Sequence, residues 1–184
     1  MPFVIQSETV ITSPTIPIRI PNYAFVDGQN VESHFYNNQL SFDWLKLFNY
    51  FKVNLNCQKV FLFLKGQNPN SNHIKNLQQI GFYTIFGNAK AKNDKGRISY
   101  NIDSELIIFS LQRHYEIQEH NLILGSGDGD FRPLVSFYEK KKLGVRIVSP
   151  SKKCTSEYLE YSKFLNRPRE ITFLDHPEIL KIIQ

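Results

Sequence analysis

Residues 122–150 read LILGSGDGDFRPLVSFYEKKKLGVRIVSP, and this stretch decides the fold. A short apolar run over residues 121–124 predicts a buried strand, and a glycine-rich loop follows it at 125–129. Apolar residues at helical spacing then predict a helix over 131–143, which ends at a glycine, and a second strand over 145–148. A strand, a helix and a strand in this order indicate a parallel βαβ unit, because parallel neighbours need a crossover connection.

The same alternation continues on both sides of this unit. Further strands are predicted at residues 23–26, 59–64, 82–86 and 171–174. Further helices are predicted at residues 42–51, 72–80, 101–115, 156–165 and 177–183. Residues 89–96 are polar and basic, and we expect an irregular, mobile segment there. Strands that alternate with crossover helices predict an α/β fold, a three-layer α/β/α sandwich with a mainly parallel central sheet.

The first 21 residues differ from the rest of the chain. Four prolines, at positions 2, 14, 17 and 21, interrupt short β-branched stretches. This pattern favours an extended segment and disfavours a helix. A length of 184 residues suits one apolar core. We therefore expect an extended N-terminal arm over residues 1–21 and a single domain over 22–184.

The chain carries 22 Lys and Arg against 17 Asp and Glu, a formal net charge of +5. This basic excess fits a polyanionic partner, although clustered charges are as often a solvated face. The basic residues cluster at Lys90, Lys92, Lys95 and Arg97, at Lys140–Lys142, and at Lys152–Lys153.

Two cysteines, Cys57 and Cys154, lack the paired spacing of a thiolate zinc site, and the sequence places no base to activate either thiol. No apolar run approaches the roughly 20 residues that cross a bilayer. No secretory leader is recognisable, so we expect a soluble protein of the reducing cytoplasm with no membrane partner. The oligomeric state is left open, a homodimer included.

Aspartates collect where the predicted strands end. Asp27 follows the strand at 23–26, Asp128 and Asp130 follow the strand at 121–124, and Asp103 opens the helix at 101–115. Ligands bind at the carboxyl ends of parallel strands, so we expect these four carboxylates to face one cleft. Clustered carboxylates suit Mg²⁺ or Mn²⁺, whereas Zn²⁺ prefers His and Cys. Asp-Gly is also a common turn pair, and a purely structural role as turn or cap is the alternative.

Three segments of the chain resemble one known family. These are YAFVDGQNV at residues 23–31, NIDSEL at 101–106 and the stretch at 122–150. Together they resemble the NYN domain of the PIN-like nuclease superfamily, in its LabA-like branch, over roughly residues 22–166. The segment SGDGDFRPL is the most specific part, since it joins a strand end, an acidic loop, Phe131 and Pro133 in one order. The resemblance implies a PIN-type sandwich and metal-dependent cleavage of RNA phosphodiester bonds.

The resemblance also implies roles for individual residues. The expected catalytic residues and ligands of Mg²⁺ or Mn²⁺ are Asp27, Asp103, Asp128 and Asp130. Asn30 and Ser126 would orient the substrate phosphate or a water near the metal. The expected partner is RNA, single-stranded or structured, and Lys95, Arg97 and Arg132 are candidates for contacts with its phosphates.

One position departs from the family pattern. Many relatives carry a further acidic residue in the helix after the last sheet strand, whereas residues 161–164 read YSKF and place Ser162 there. Glu157 or Glu160 is a candidate replacement. The departure favours the alternative function, a catalytically weak RNA-binding or regulatory module on the same fold. A haloacid-dehalogenase-type phosphatase is disfavoured, because Gln29 stands where its second Asp would be. His34 follows the first acidic run, and we expect a structural role for it.

Overall fold

The computed structural model describes residues 20–66, 70–87, 89–92, 98–116 and 119–184. Its strands are β1 (Asn22–Asp27), β2 (Cys57–Leu64), β3 (Tyr83–Phe86), β4 (Ala89–Lys92), β5 (Ile98–Tyr100), β6 (Asn121–Gly125), β7 (Val145–Ser149), β8 (Tyr161–Ser162), β9 (Arg167–Pro168) and β10 (Ile171–Phe173). Six of them form a central sheet in the order β10-β7-β6-β1-β2-β3, and every neighbouring pair in it is parallel.

Most of the helices lie between successive strands of this sheet, and the last one follows β10. The helices are α1 (Gly28–Asn37), α2 (Trp44–Asn49), α3 (Asn72–Ile80), α4 (Ile102–Glu116), α5 (Arg132–Lys140), α6 (Glu157–Glu160) and α7 (Pro177–Ile183). A π-helical turn at Tyr50–Asn54 extends α2, and a 3₁₀ turn at Gly129–Phe131 precedes α5. Within the described residues, no helix has both the length and the apolar character needed to cross a membrane.

Two apolar cores cover the two faces of the sheet. Successive side chains of a strand point to opposite faces, and β1 is buried on both. Its Ala24 and Val26 pack in the core that includes α1, α2, α3 and α7. Its Tyr23 and Phe25 pack in the other core, with α4 and α5. This arrangement confirms the predicted α/β/α sandwich with a parallel sheet.

Three local predictions differ from the structure. The sequence analysis assigned no helix after Asp27, but α1 begins at Gly28, the next residue. The segment predicted to be irregular contains β4, which pairs antiparallel with β5. The helix predicted over residues 156–165 is wrong beyond Glu160, because the chain turns there into a hairpin of β8 and β9. Of the predicted N-terminal arm, residues 1–19 lie outside the described residues.

Candidate metal centre and adjoining groove

The acidic residues lie at the carboxyl edge of the central sheet. β1 and β6 are adjacent and parallel, with Val26 opposite Gly125, so the segments that follow them begin side by side. There, Asp27, Asp103 and Asp128 line one cavity of about 400 Å³, which we call the acidic cavity. Three of the four predicted carboxylates thus share one cavity, and they come from a strand end, a helix start and a loop.

Asp27 both ends a strand and begins a helix. Its backbone is extended, and its side chain accepts a hydrogen bond from the backbone N–H of Asn30 at 3.1 Å, which caps α1. Only 6% of the residue is exposed. Burial and the negative charge of Asp103 raise the pKa of Asp27 from 3.8 to about 6, although the Asn30 amide and the Lys65 charge act in the opposite direction.

Asp128 and Asp130 belong to the loop that leaves β6. Asp128 Oδ1 accepts a hydrogen bond from the backbone N–H of Asp130 at 2.9 Å, which caps the 3₁₀ turn. Asp128 is half-buried and faces the acidic cavity, whereas Asp130 is exposed. Asp130 lines the adjoining groove instead, together with Asp128. Asp130 therefore shares the outer groove with Asp128 but is absent from the lining of the acidic cavity.

Asn30 and Ser126 hold the same loop in place. Asn30 Oδ1 accepts from the backbone N–H of Gly127 at 3.2 Å, which links α1 to the loop. Ser126 is fully buried, and its hydroxyl accepts from the backbone N–H of Asp128 at 3.2 Å. Asn30 lines both the acidic cavity and the adjoining groove. Both side chains thus fix the position of the Asp128 loop.

The adjoining groove has a volume of about 750 Å³ and carries basic and aromatic groups; we call it the outer groove. Arg132, Lys153 and Tyr158 line it. The Arg132 guanidinium lies over the Tyr158 ring, 5.3 Å from its centroid, and Tyr158 is 65% exposed. The predicted phosphate contacts Lys95 and Arg97 lie outside the described residues.

The acidic cavity contains residues that the sequence analysis missed or undervalued. Lys65 directly follows β2 and places an ammonium group on the lining of this cavity. Its position after a strand at the same sheet edge was a signal that sequence reasoning had available. His34 and Cys154 also line the cavity. Their proximity had no sequence signal, since 120 positions separate them.

The donor groups suit a partly hydrated hard cation better than a closed protein cage. Among the described residues, no three His, Cys, Asp or Glu side chains are close enough to form a metal-holding group. Mg²⁺ commonly binds through one or two carboxylates and completes its shell with waters and phosphate oxygens. The negative charge of Asp103 raises the pKa of the buried Asp27 carboxyl, so the two groups interact electrostatically. This fits a site with two carboxylates.

Ser162, at the position where the family resemblance leads us to expect a further acid, does not line the acidic cavity. Ser162 is fully buried, and its hydroxyl accepts from the backbone N–H of Leu165 at 3.0 Å. Of the two candidate replacements, Glu157 lines a separate pocket beside Arg132, and the lining of the acidic cavity includes neither Glu157 nor Glu160. Neither glutamate supplies the additional cavity carboxylate that we considered.

Comparisons with known proteins agree with this architecture. The NYN domain model matches residues 23–166. The fold is similar to the crystal structure of a protein of unknown function from Vibrio parahaemolyticus RIMD 2210633, with a TM-score of 0.62 and 17% sequence identity. That similarity covers 85% of this chain and 93% of the other. A comparison with curated proteins found no match.

Proposed function

Because the chain belongs to the NYN domain family of PIN-like nucleases, we propose that it is a metal-dependent ribonuclease that hydrolyses RNA phosphodiester bonds at the acidic cavity. The observation that carries this proposal is the meeting of Asp27, Asp103 and Asp128 on one cavity wall. The raised pKa of Asp27 supports it, since a buried carboxyl next to a second carboxylate is a poor anion until a cation compensates it.

Asp27 and Asp103 would hold Mg²⁺ or Mn²⁺, with Asp128 as the third carboxylate on the cavity wall. Such a cation would lower the pKa of a bound water and offset negative charge on the phosphate. In this scheme Asn30 and Ser126 keep the Asp128 loop in place through their bonds to its backbone. Asp130 is exposed in the outer groove, so it would lie on the side of that loop that faces the substrate.

The outer groove supports RNA as the substrate. Arg132 and Lys153 supply positive charge for phosphate oxygens. The exposed ring of Tyr158 offers a face on which an unpaired base can stack, and such stacking is worth about 1–3 kcal/mol per base. This composition favours single-stranded RNA. Lys95 and Arg97 are proposed as further phosphate contacts on the strength of the sequence alone.

A second function has specific support. No group of three metal-holding side chains is assembled among the described residues, and Ser162 occupies the position of a family acid. These observations favour an RNA-binding or regulatory module with weak catalysis.

For either function we propose a cytoplasmic location, which fits the two free cysteines, Cys57 and Cys154.

Cleavage of an end-labelled single-stranded RNA, with Mn²⁺ or with a chelator, separates the two functions. The ribonuclease proposal predicts cleavage that requires Mn²⁺ or Mg²⁺. Asp128→Asn keeps the side-chain oxygen that caps the 3₁₀ turn but removes its charge. We expect this variant to cleave on the order of a thousandfold more slowly, a loss of about 4 kcal/mol of transition-state stabilisation.

RNA binding by the same variant completes the test. Binding should persist or tighten in Asp128→Asn, because a negative charge has left a phosphate-facing surface. If the wild type cleaves RNA with neither metal but binds it as well as the variant does, the ribonuclease proposal is wrong and the binding module replaces it.

A further inference from the structure

Cys154 and His34 meet on the lining of the acidic cavity, Asp175 lies on the other side of the His34 ring, and the nuclease proposal uses none of the three. Cys154 Sγ lies 3.2 Å from His34 Nδ1, and His34 Nε2 lies 3.8 Å from Asp175 Oδ2. A thiol, an imidazole and a carboxylate in this order form the arrangement by which enzymes activate a nucleophilic cysteine. The three residues come from α1, from the loop after β7 and from the segment after β10.

The contacts of Asn38 bear on which nitrogen of the His34 imidazole carries the proton. Asn38 Nδ2 donates to the backbone carbonyl of His34 at 2.8 Å, and this contact sets the orientation of the amide because a carbonyl only accepts. The same nitrogen lies 3.3 Å from His34 Nδ1 and donates to it as well. An amide N–H₂ cannot accept, so Nδ1 is the acceptor towards Asn38 in the neutral ring, and the Cys154 sulfur lies within hydrogen-bond distance of the same nitrogen.

The other ring nitrogen is left facing a carboxylate. With Nδ1 as acceptor, the ring proton lies on Nε2, which is buried and makes no hydrogen bond within the described structure. The His34 side chain is only 7% exposed, and Asp175 is the acid beside it. An imidazolium formed when the ring takes the thiol proton would gain from the Asp175 charge. The Cys154 sulfur lies within hydrogen-bond distance of the nitrogen that would take its proton.

The thiol is accessible and its loop is firmly held. Cys154 is exposed, and it lines both the acidic cavity and the outer groove. Its backbone N–H donates to Ser151 Oγ at 3.1 Å, and the neighbouring Ser156 N–H donates to the Gly127 carbonyl at 2.8 Å. A group added to Sγ would therefore occupy space beside the metal-binding carboxylates. The other cysteine, Cys57, is buried, which raises the pKa of its thiol to about 12.

We propose that Cys154 is a modification site, a thiol activated by His34 and Asp175 that reacts with peroxides and small electrophiles and thereby obstructs the acidic cavity. With hydrogen peroxide, sulfur attacks one oxygen, the O–O bond breaks, and hydroxide departs. The thiol proton passes to His34 Nδ1 and then to the hydroxide, which gives a sulfenic acid and water. Sulfur loses two electrons and the peroxide gains them. The obstruction rests on the proposed nuclease function, whereas the reactivity does not.

The reactivity is tested by alkylating the native, full-length chain with iodoacetamide and measuring each cysteine by peptide mass spectrometry. We expect Cys154 to react at least tenfold faster in the native chain than in urea at the same pH, and Cys57 to stay unmodified. His34→Gln should slow the Cys154 reaction at least tenfold. Asp175→Asn should slow it severalfold and serves as the second variant, because it leaves the buried imidazole in place.

Glu178→Gln is the matched control, since it removes one exposed acidic charge from α7, three residues beyond Asp175. It should leave the alkylation rate unchanged. Protection of Cys57 in every variant shows that the chain is folded. Equal rates for Cys154 in the native and urea-unfolded chain, or equal rates in wild type and Asp175→Asn, would overturn the proposal of an activated thiol.

The obstruction is tested by RNA cleavage before and after alkylation. We expect treated wild type to lose at least tenfold in rate and treated Cys154→Ser to keep its own untreated rate. Fast alkylation without any loss of cleavage would refute the obstruction and leave the activated thiol standing. A wild type that never cleaves RNA would refute the nuclease function, while the alkylation rates would still decide the status of Cys154.

Discussion

At the scale of single residues, Asp27 connects the fold to the proposed chemistry. An N-cap needs a side-chain oxygen, which Asp and Asn supply equally well. A metal site needs the negative charge, which only Asp supplies. One buried carboxyl, that of Asp27, caps α1 and lines the acidic cavity, so in the proposed function it would serve both purposes. Asp27→Asn therefore separates them, since it keeps the cap and removes the charge.

We predict that Asp27→Asn stabilises the metal-free protein at neutral pH. The pKa of Asp27 is about 6 in the folded chain against an ordinary 3.8, so the folded state binds a proton in this window that the unfolded state has released. The contribution of Asp27 to the free energy of unfolding should thus be fully present below pH 4 and be lost as the pH rises through 6. The variant does not show this loss. Its free energy of unfolding should exceed that of wild type by up to about 3 kcal/mol above pH 7 and by little near pH 4.

Urea unfolding at pH 4.5 and 7.5, with a chelator present, measures this difference. Asp43→Asn is the matched control, because Asp43 also caps a helix, accepting from the Lys46 N–H at 2.8 Å, but lies on the exposed surface. The control should change stability little at either pH. A stability difference between wild type and Asp27→Asn that does not grow with pH would show that Asp27 ionises normally in the fold.

At the scale of elements, the shortness of α6 depends on one distant arginine. The Arg169 guanidinium donates to the carbonyls of Tyr158, Leu159 and Tyr161, at the end of α6. It also donates twice to the carboxylate of Glu139 on α5, at 2.7 and 3.1 Å. These bonds satisfy the last carbonyls of the helix and bring the β8–β9 hairpin against the domain.

We predict that Arg169→Ala destabilises the protein by about 3–5 kcal/mol, because it leaves the Glu139 charge buried without its partner. Arg146→Ala is the control, since the partner of Arg146, Glu170, is largely exposed. Loss of that exposed pair should cost no more than about 1 kcal/mol. Denaturant unfolding of both variants gives the comparison. Equal losses for the two variants would mean that the buried pair does not hold the hairpin.

The loop that carries Asp128 is packed against the loop after β7 with no spare room. A Cβ at Gly127 would lie 2.4 Å from the carbonyl oxygen of Cys154 and 2.5 Å from Ser149 Oγ. We therefore predict that Gly127→Ala costs about 1–3 kcal/mol, as overpacking usually does. Gly144→Ala is the milder control, because its nearest contact is the Asn121 side-chain oxygen at 3.0 Å. Thermal unfolding that ranks Gly144→Ala as the more damaging change would contradict this packing.

Local patterns predicted the sheet and most helices, and contacts between distant segments explain the failures. The strand ends at Asp27 and before Asp128 follow from periodicity, so the sequence could bring these carboxylates to one edge. Helical spacing over residues 156–165 is equally regular, but Arg169 lies outside that window and ends the helix at Glu160. Likewise, no pattern within either segment links Cys154 to His34.

At the scale of the whole molecule, the acidic cavity lies beside a groove that carries Arg132, Lys153 and Tyr158 as well as Asp128 and Asp130, in a chain of net charge +5. The basic charge would attract RNA, and the acidic cavity would hold the cation that the reaction needs. A single-stranded RNA in the outer groove would lie beside Tyr158, Arg132 and Asp128, which all line it. In the proposed function, the groove would supply affinity for RNA and the cavity would supply the chemistry.

We predict that replacing Arg132 and Lys153 together by Ala weakens binding of single-stranded RNA and flattens its salt dependence. Each lost phosphate contact should reduce the slope of log K against log salt by about 0.7. A double replacement of Lys140 and Lys181 by Ala removes the same net charge from residues that do not line the outer groove. Fluorescence anisotropy over a range of salt concentrations measures RNA binding by the two double variants and gives the slope for each. Matching slopes for both double variants would move the RNA path away from the groove.

The Mn²⁺ dependence of the RNA cleavage rate tests the central claim most directly, namely that carboxylates of the acidic cavity hold a catalytic cation. For wild type we predict no cleavage in chelator and a rate that saturates with Mn²⁺. Asp103→Asn should need at least tenfold more Mn²⁺ and reach a lower maximum, while Asp43→Asn should follow the wild-type curve. Cleavage that proceeds in chelator, or a curve for Asp103→Asn that coincides with wild type, would contradict the account.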